Sequence, residues 1–205
     1  MTSRRLRAGL CGTLLVGVTT AMAADRAALD AVSAAMRAAF ETKKQATMDR
    51  LEQDETQQVC TEHAGQPPAD AATRVLELNR ATIRPPADGQ YLGDFRQGAV
   101  IAQTGTGLQF SDDPAKPNGG NCYACHELSP TELAYGTIGP SLKHYGKLRG
   151  NSPQVLEYTW GKLYNSQATM PCSNMPRFGH RGILTEQQLK DVMAYLFDAQ
   201  SPVNQ

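Results

Sequence analysis

Cys122-Tyr123-Ala124-Cys125-His126 is the stretch of this chain that leaves the fewest alternatives open. Two thiols three positions apart, followed at once by a histidine, form the pattern of covalent haem attachment. Each thiol adds across one vinyl group, and the histidine comes to lie beneath the iron as proximal ligand. A chain bonded in this way has to fold around its macrocycle. With this composition, a chance match of the same form is expected roughly 0.002 times. A zinc site would need a second ligand pair at similar spacing, and Cys60-x-x-His63 is the only such pair in the sequence. A thioredoxin-like redox pair would need a βαβ pattern around it, which is missing.

Haem is attached in this way after export, and the N-terminus agrees. Arg4, Arg5 and Arg7 form a basic region, an apolar run from Gly9 to Ala21 follows, and Ala21-Met22-Ala23 is an A-x-A cleavage motif. Arg4-Arg5 also suggests a twin-arginine route, but a chain that receives its haem outside the cytoplasm has to cross unfolded, which fits the general secretory path. Periplasmic localisation with a cleaved signal is therefore expected. Removing residues 1–23 takes away three arginines and no acid, leaving 17 basic residues against 20 acidic ones. That mildly acidic balance lacks the basic footprint of a nucleic-acid binder. No later run reaches the roughly 20 apolar residues of a spanning helix. Cys11, in Ala8-Gly9-Leu10-Cys11, sits too early in the signal to be a lipid-anchored cysteine. With Cys122 and Cys125 given to haem, Cys60 and Cys172 remain, an even pair in an oxidising compartment. A disulfide between them is the economical expectation, and two free buried thiols are the alternative.

Length and a 40% hydrophobic content suit one compact domain with an appendage. The spacing predicts an all-α chain: a signal over 1–23, a helical N-terminal extension over 24–90 and a haem domain over 91–205. In residues 25–57, Leu29, Val32, Met36 and Phe40 recur at three- and four-residue steps, which predicts one amphipathic helix running on through Met48 and Leu51 with this stripe in the core. Asp70 is expected to cap a second helix carrying Ala71, Val75 and Leu78, ended by Pro85-Pro86. Together they read as a helical hairpin ahead of the haem domain. A loop is expected over 104–121. Ser152-Pro153-Gln154 opens a helix through Val155, Leu156, Tyr158 and Trp160, expected to pack beside the porphyrin. Thr185 begins a terminal helix with Leu189, Val192, Met193, Leu196 and Phe197 as its buried face.

Asp94 to Ala102 resembles the first helix of a class I cytochrome c, in which a small residue lets another helix cross closely. Gly139-Pro140-Ser141-Leu142 resembles the Gly-Pro-x-Leu element of the same class. That likeness implies that the Pro140 carbonyl accepts a hydrogen bond from the second ring nitrogen of His126, orienting the imidazole. A cytochrome that only moves electrons needs its sixth position filled, and a thioether favours ferrous iron. Met170-Pro171 and Met175-Pro176 both offer one. Met175 is preferred, because Asn174 can bond the sulfur and Phe178 can cover the haem edge; Met170 is the fallback, otherwise a pocket methionine. His144 and His180 are the alternative, as a bis-histidine site, or else ordinary surface or hydrogen-bonded residues.

A more specific likeness covers residues 91–205. Gly120-Asn121-Cys122 to His126, Tyr135 to Leu142, Tyr145-Gly146-Lys147-Leu148-Arg149-Gly150, Tyr164-Asn165-Ser166-Gln167 and Cys172 to Gly179 resemble the SoxX family, the monohaem subunits of the SoxAX cytochrome complex in bacterial sulfur oxidation. The resemblance implies a class I cytochrome c fold with one haem c and a heterodimer with a SoxA-like monohaem or dihaem cytochrome. It also implies work on a SoxYZ-like sulfur carrier and a soluble cytochrome as electron acceptor. This chain would be the non-catalytic haem subunit of an L-cysteine S-thiosulfotransferase, receiving electrons released when thiosulfate is joined to a carrier cysteine. Residues 24–90 lie outside the likeness. A free-standing diffusible cytochrome and a haem sensor or peroxidase with an open sixth position are the competing readings.

Overall fold

A computed structural model describes the backbone of residues 15–205 and the side chains of residues 26–205. The expected signal peptide, its cleavage motif and Cys11 lie outside the residues whose side chains are described. Among the described residues all regular structure is helical, apart from one isolated antiparallel bridge between Lys43 and Ala46. The contacts divide the chain into two units, residues 1–52 and 53–205.

The first unit holds helix α1, Leu15–Ala39, and a 3-10 turn, Met48–Leu51. Arg37 pairs with Glu52 at 2.6 Å, and Arg50 donates to the Gln45 carbonyl, so the turn folds back under the helix end. The single helix expected to run through Leu51 is therefore interrupted. Lys44 adopts a left-handed φ of 52°, and the Lys43–Ala46 hairpin-like bond pair closes there, which no continuous α-helix accommodates. The stripe expected in the core is instead exposed: Leu29 40%, Val32 57%, Met36 43% and Phe40 59%. Periodicity marks the face a helix would bury, but a unit of one helix and one turn has no second layer to bury it against.

The second unit contains α2 (Glu55–Glu62), α3 (Ala69–Arg80), α4 (Phe95–Gln103), α5 (Tyr145–Arg149), α6 (Pro153–Tyr164) and α7 (Glu186–Phe197). α2 and α3, expected in an extension over 24–90, thus fold in one unit with residues 91–205. α2 starts at a reciprocal capping box: Asp54 accepts from the Gln57 N–H, and the Gln57 side chain accepts from the Asp54 N–H. That new start is the second reason the first helix cannot extend to residue 57. Asp70 does not cap α3. Pro68 is the N-cap, and Asp70 lies in the first turn, where a carboxylate suits the helix dipole.

α4 and α7 form the central helix contact. α7 begins with a capping box between Thr185 and Gln188 and buries Leu189, Val192, Met193, Leu196 and Phe197, as its spacing predicts. Gly98 sits where the helices cross: a Cβ there would run into the Asp191 carbonyl and the Cβ of Tyr195. α6 packs Trp160 into the core, with its indole N–H donating to the Arg84 carbonyl at 2.7 Å. Tyr158, expected in the same packed face, is 53% exposed because it lies on the opposite side of that helix from Trp160 and Leu163. The segment 104–121 is a loop, as expected.

A Gly98→Ala substitution is expected to lower unfolding stability by about 1–3 kcal/mol through overpacking at the crossing. Val100→Ala, at an exposed position of the same helix, is expected to change it by less than about 0.5 kcal/mol. Urea unfolding of both variants measures the difference.

Candidate haem-binding site

The Cys-x-x-Cys-His stretch folds as a tight turn. Asn121 takes a left-handed φ of 47°, Cys122–Ala124 form one 3-10 turn, and the Cys125 and His126 N–H groups both donate to the Cys122 carbonyl. The intervening Tyr123 is buried, and its hydroxyl meets that of Tyr195 on α7 at 2.7 Å. This bond pins the motif to the helix crossing. Burial, followed by the Tyr123 hydrogen bond, pushes the Tyr195 phenol far up, so it stays neutral.

Residues 136–142 run beside the motif. Gly136 N–H donates to the Tyr123 carbonyl, Gly139 N–H to Cys125 and Leu142 N–H to Glu127, each at 2.8 Å. Ser141 adds a hydroxyl bond to Glu127 at 2.7 Å. Along this track the Pro140 carbonyl lies 2.7 Å from His126 Nδ1. Gly139 lies flat against the same imidazole, and a Cβ there would overlap the ring. A carbonyl can only accept, so Nδ1 donates to Pro140 and Nε2 is the ring nitrogen this bond leaves unused.

Whether these residues suit haem is decided by the donor set. Cys122 and Cys125 are free thiols, the other described cysteines being oxidised. Two unspent thiols beside an imidazole with one nitrogen engaged and the other free to coordinate fit a covalently held haem. Cys60-x-x-His63 offers no competing metal pair, since Cys60 is joined to Cys172.

Of the two methionines, Met175 is half-buried against the core. Its carbonyl accepts from the buried Ser166 hydroxyl at 2.6 Å, and its N–H donates to Ser173 Oγ at 3.2 Å. Met170, expected as a pocket residue otherwise, is 58% exposed. His144 is the N-cap of α5 at φ 58°, its N–H donating to the Val203 carbonyl. His180 donates its N–H to the Tyr164 carbonyl. Burial and the neighbouring Arg177 and Arg181 hold the His180 imidazole below its usual range.

The loop that presents Met175 is tied to α2 and α3 by polar groups that the sequence reading did not single out, and by the disulfide it expected. Asp54, besides capping α2, accepts from Arg177 at 2.7 Å and Arg181 at 2.5 Å. Arg177 is only 7% exposed. Asn165, fully buried, donates to Asn79 Oδ1 and Thr82 Oγ1, and Asn79 donates to Thr56 Oγ1 and the Val75 carbonyl. The Cys60–Cys172 disulfide closes the same junction over 112 residues of chain. The Asp54-x-x-Gln57 spacing was a readable cap signal; nothing in the sequence marked the arginine partners.

The site and the fold are those of a haem protein built on covalent attachment. Residues 110–200 match the cytochrome c family, so this part of the chain is a cytochrome c domain. It therefore has the helical class I cytochrome c fold, and the cofactor this family implies is covalently bound haem c. The chain is also 35% identical over 202 residues, 93% of this chain and 95% of the relative, to an "Uncharacterized lipoprotein" of Aquifex aeolicus (strain VF5). That coverage takes in most of residues 24–90 as well as the haem motif.

Asp54→Asn is expected to cost about 1–3 kcal/mol, because it leaves the buried Arg177 without its carboxylate. Burial raises the Asp54 carboxyl, but the Gln57 N–H, Arg177 and Arg181 together outweigh it and hold it below 3.8. A lowered acid stabilises the fold above its unfolded pKa and loses that contribution as pH falls through the folded one. The gap between wild type and variant should therefore be full at pH 6 and close below about pH 4, as read by denaturant unfolding across pH.

Proposed function

We propose that this chain is an exported electron-transfer cytochrome with one haem c, serving as the haem subunit of a SoxAX-like, thiosulfate-oxidising heterodimer. Cys122 and Cys125 would hold the porphyrin through thioethers, and His126 and Met175 would ligate its iron. The observation that carries the electron-transfer reading is the 2.7 Å bond from His126 Nδ1 to the Pro140 carbonyl. It fixes the imidazole plane, so a histidine bound to iron would need little reorientation when the iron changes charge. Bound haem supplies one-electron chemistry; the chain's own residues hold it and keep both axial donors in place. Met175 is favoured by its half-buried sulfur-bearing side chain and the Ser166 and Ser173 bonds on either side of its backbone. Met170 is also bonded through its backbone to Ser166 and Ser173, but its side chain is largely exposed.

In this reading the chain receives electrons from a SoxA-like partner after thiosulfate is joined to a carrier-protein cysteine, and passes them to a soluble cytochrome. The Tyr145 to Gly150 and Asn174 to Gly179 stretches support it by their likeness to the SoxX family, and Gly150 at φ 70° ends the five-residue α5 that this likeness includes. Export is supported by the attachment chemistry and by the Aquifex relative, which is named a lipoprotein. The shared coverage, which takes in most of residues 24–90 outside the SoxX likeness, favours a second reading: a periplasmic cytochrome that works without a SoxA-like partner.

Native purification of the haem-staining protein by size decides between them. Equal amounts of a second c-type cytochrome in the same fractions support the heterodimer, and elution alone at monomer size supports the free-standing carrier. For the sixth ligand, ferrous Met175→Ala is expected to bind carbon monoxide readily and to show a lowered midpoint potential, whereas Met170→Ala behaves as wild type.

A further inference from the structure

The Cys60–Cys172 disulfide is set in the wall of an open cleft of about 610 Å³. Gln57, Gln66, Ser173 and Asn174 are among the other wall residues, and no charged side chain lines it. Both cysteines are half-buried rather than enclosed. A thiolate entering this cleft meets neutral amides and hydroxyls and finds a disulfide sulfur within reach, the access that exchange requires. Disulfides that serve only as staples in exported proteins resist reduction, whereas exposed ones are the labile ones.

The bond also sits at a leverage point. Cys172 is a non-glycine residue at φ 57°, in the left-handed region, with its N–H held by Gln167 Oε1 at 3.2 Å. Cys172, Ser173 and Asn174 all line the cleft, and the next residue is Met175. The Met175 N–H rests on Ser173 Oγ. The strand of chain that presents Met175 is thus the same one that the disulfide anchors to α2.

We propose that Cys60–Cys172 is a reversible thiol-exchange site, open to an external dithiol through this cleft, and that its reduction loosens the hold of Met175 on the sixth coordination position. This rests on the reading of Met175 as axial ligand. One thiolate of the dithiol attacks a disulfide sulfur, a mixed disulfide forms and the other protein cysteine leaves as thiolate. The second thiol of the reagent then closes its own disulfide and releases the remaining protein cysteine. Two electrons pass from the dithiol to the protein pair, which ends as two thiols after proton uptake. Cys172 is then free to leave its left-handed backbone, and the Met175 loop loses its covalent tie to α2 while keeping its hydrogen bonds and the Asp54 ion pairs.

The test uses the holoprotein with haem attached, so that among the described cysteines only Cys60 and Cys172 are left to react with an alkylating agent, and the mass-spectrometric map keeps Cys11 apart from them. One sample is reduced at iron with ascorbate, which leaves disulfides intact, and a second with excess dithiothreitol. Each is alkylated without denaturation, mapped by mass spectrometry and mixed with carbon monoxide. The expected result is alkylation of Cys60 and Cys172 in the dithiol sample alone, with carbon monoxide combining at least about ten-fold faster there. Ascorbate-treated Cys60→Ser/Cys172→Ser protein should match the dithiol rate if it folds, and the wild-type comparison stands without it. Alkylation only after denaturation would overturn the exchange site. Alkylation without a change in carbon monoxide rate would overturn the coupling to Met175. Fast binding already in the ascorbate sample would overturn Met175 as ligand, and the coupling with it, while the alkylation map still judges the exchange site by itself.

Discussion

The backbone contact between α4 and α7 at Gly98 is the constraint on which the second unit depends. With no side chain at that point the Asp191 carbonyl comes right against α4, and the close approach brings the rest of α7 into range of everything it supports. Tyr195 reaches the haem motif through Tyr123. The nearly buried Asp191 accepts from the Asp94 N–H, and Lys190 pairs with Asp88 at 2.7 Å, so the chain entering α4 is laid along α7 as well. Buried charges are tolerable here because each meets a partner of opposite polarity.

A second junction joins α2 and α3 to the loop after α6, and it is polar where the first is apolar. Thr56, Asn79 and Asn165 are buried and mutually bonded. Each amide would be costly to bury unpaired, so the network is tolerated only in the arrangement that satisfies all of its members. Ion pairs from Asp54 and the disulfide act on the same loop from outside. The stretch that carries Met175 is in consequence one of the most heavily anchored loops in the unit, although it has almost no regular structure of its own.

The haem-binding side is built differently again, from backbone. The motif and residues 136–142 run side by side through three amide bonds, and glycines at 136 and 139 let them come close enough for a carbonyl to reach the imidazole. His126 is oriented by a proline carbonyl, an acceptor that does not titrate. An imidazole held in this manner keeps one orientation.

Local chemistry was legible in the sequence. The haem motif, the Pro140 partner, the all-helical class and the α7 face with its capping box all depend on residues within a few positions of one another, where spacing alone sets geometry. The pairing of Cys60 with Cys172 was legible for another reason, since elimination left no other partner. What the sequence could not decide was burial by distant elements. The Leu29 to Phe40 stripe has the pattern of a core face and lies exposed, because a pattern states a preference and only a neighbouring layer satisfies it. Arg177, charged and unremarkable in sequence, is buried because Asp54, more than a hundred residues earlier, is folded against it. Thus spacing determined the chemistry this chain offers to haem, and tertiary packing decided which of its loops is held rigid enough to use it.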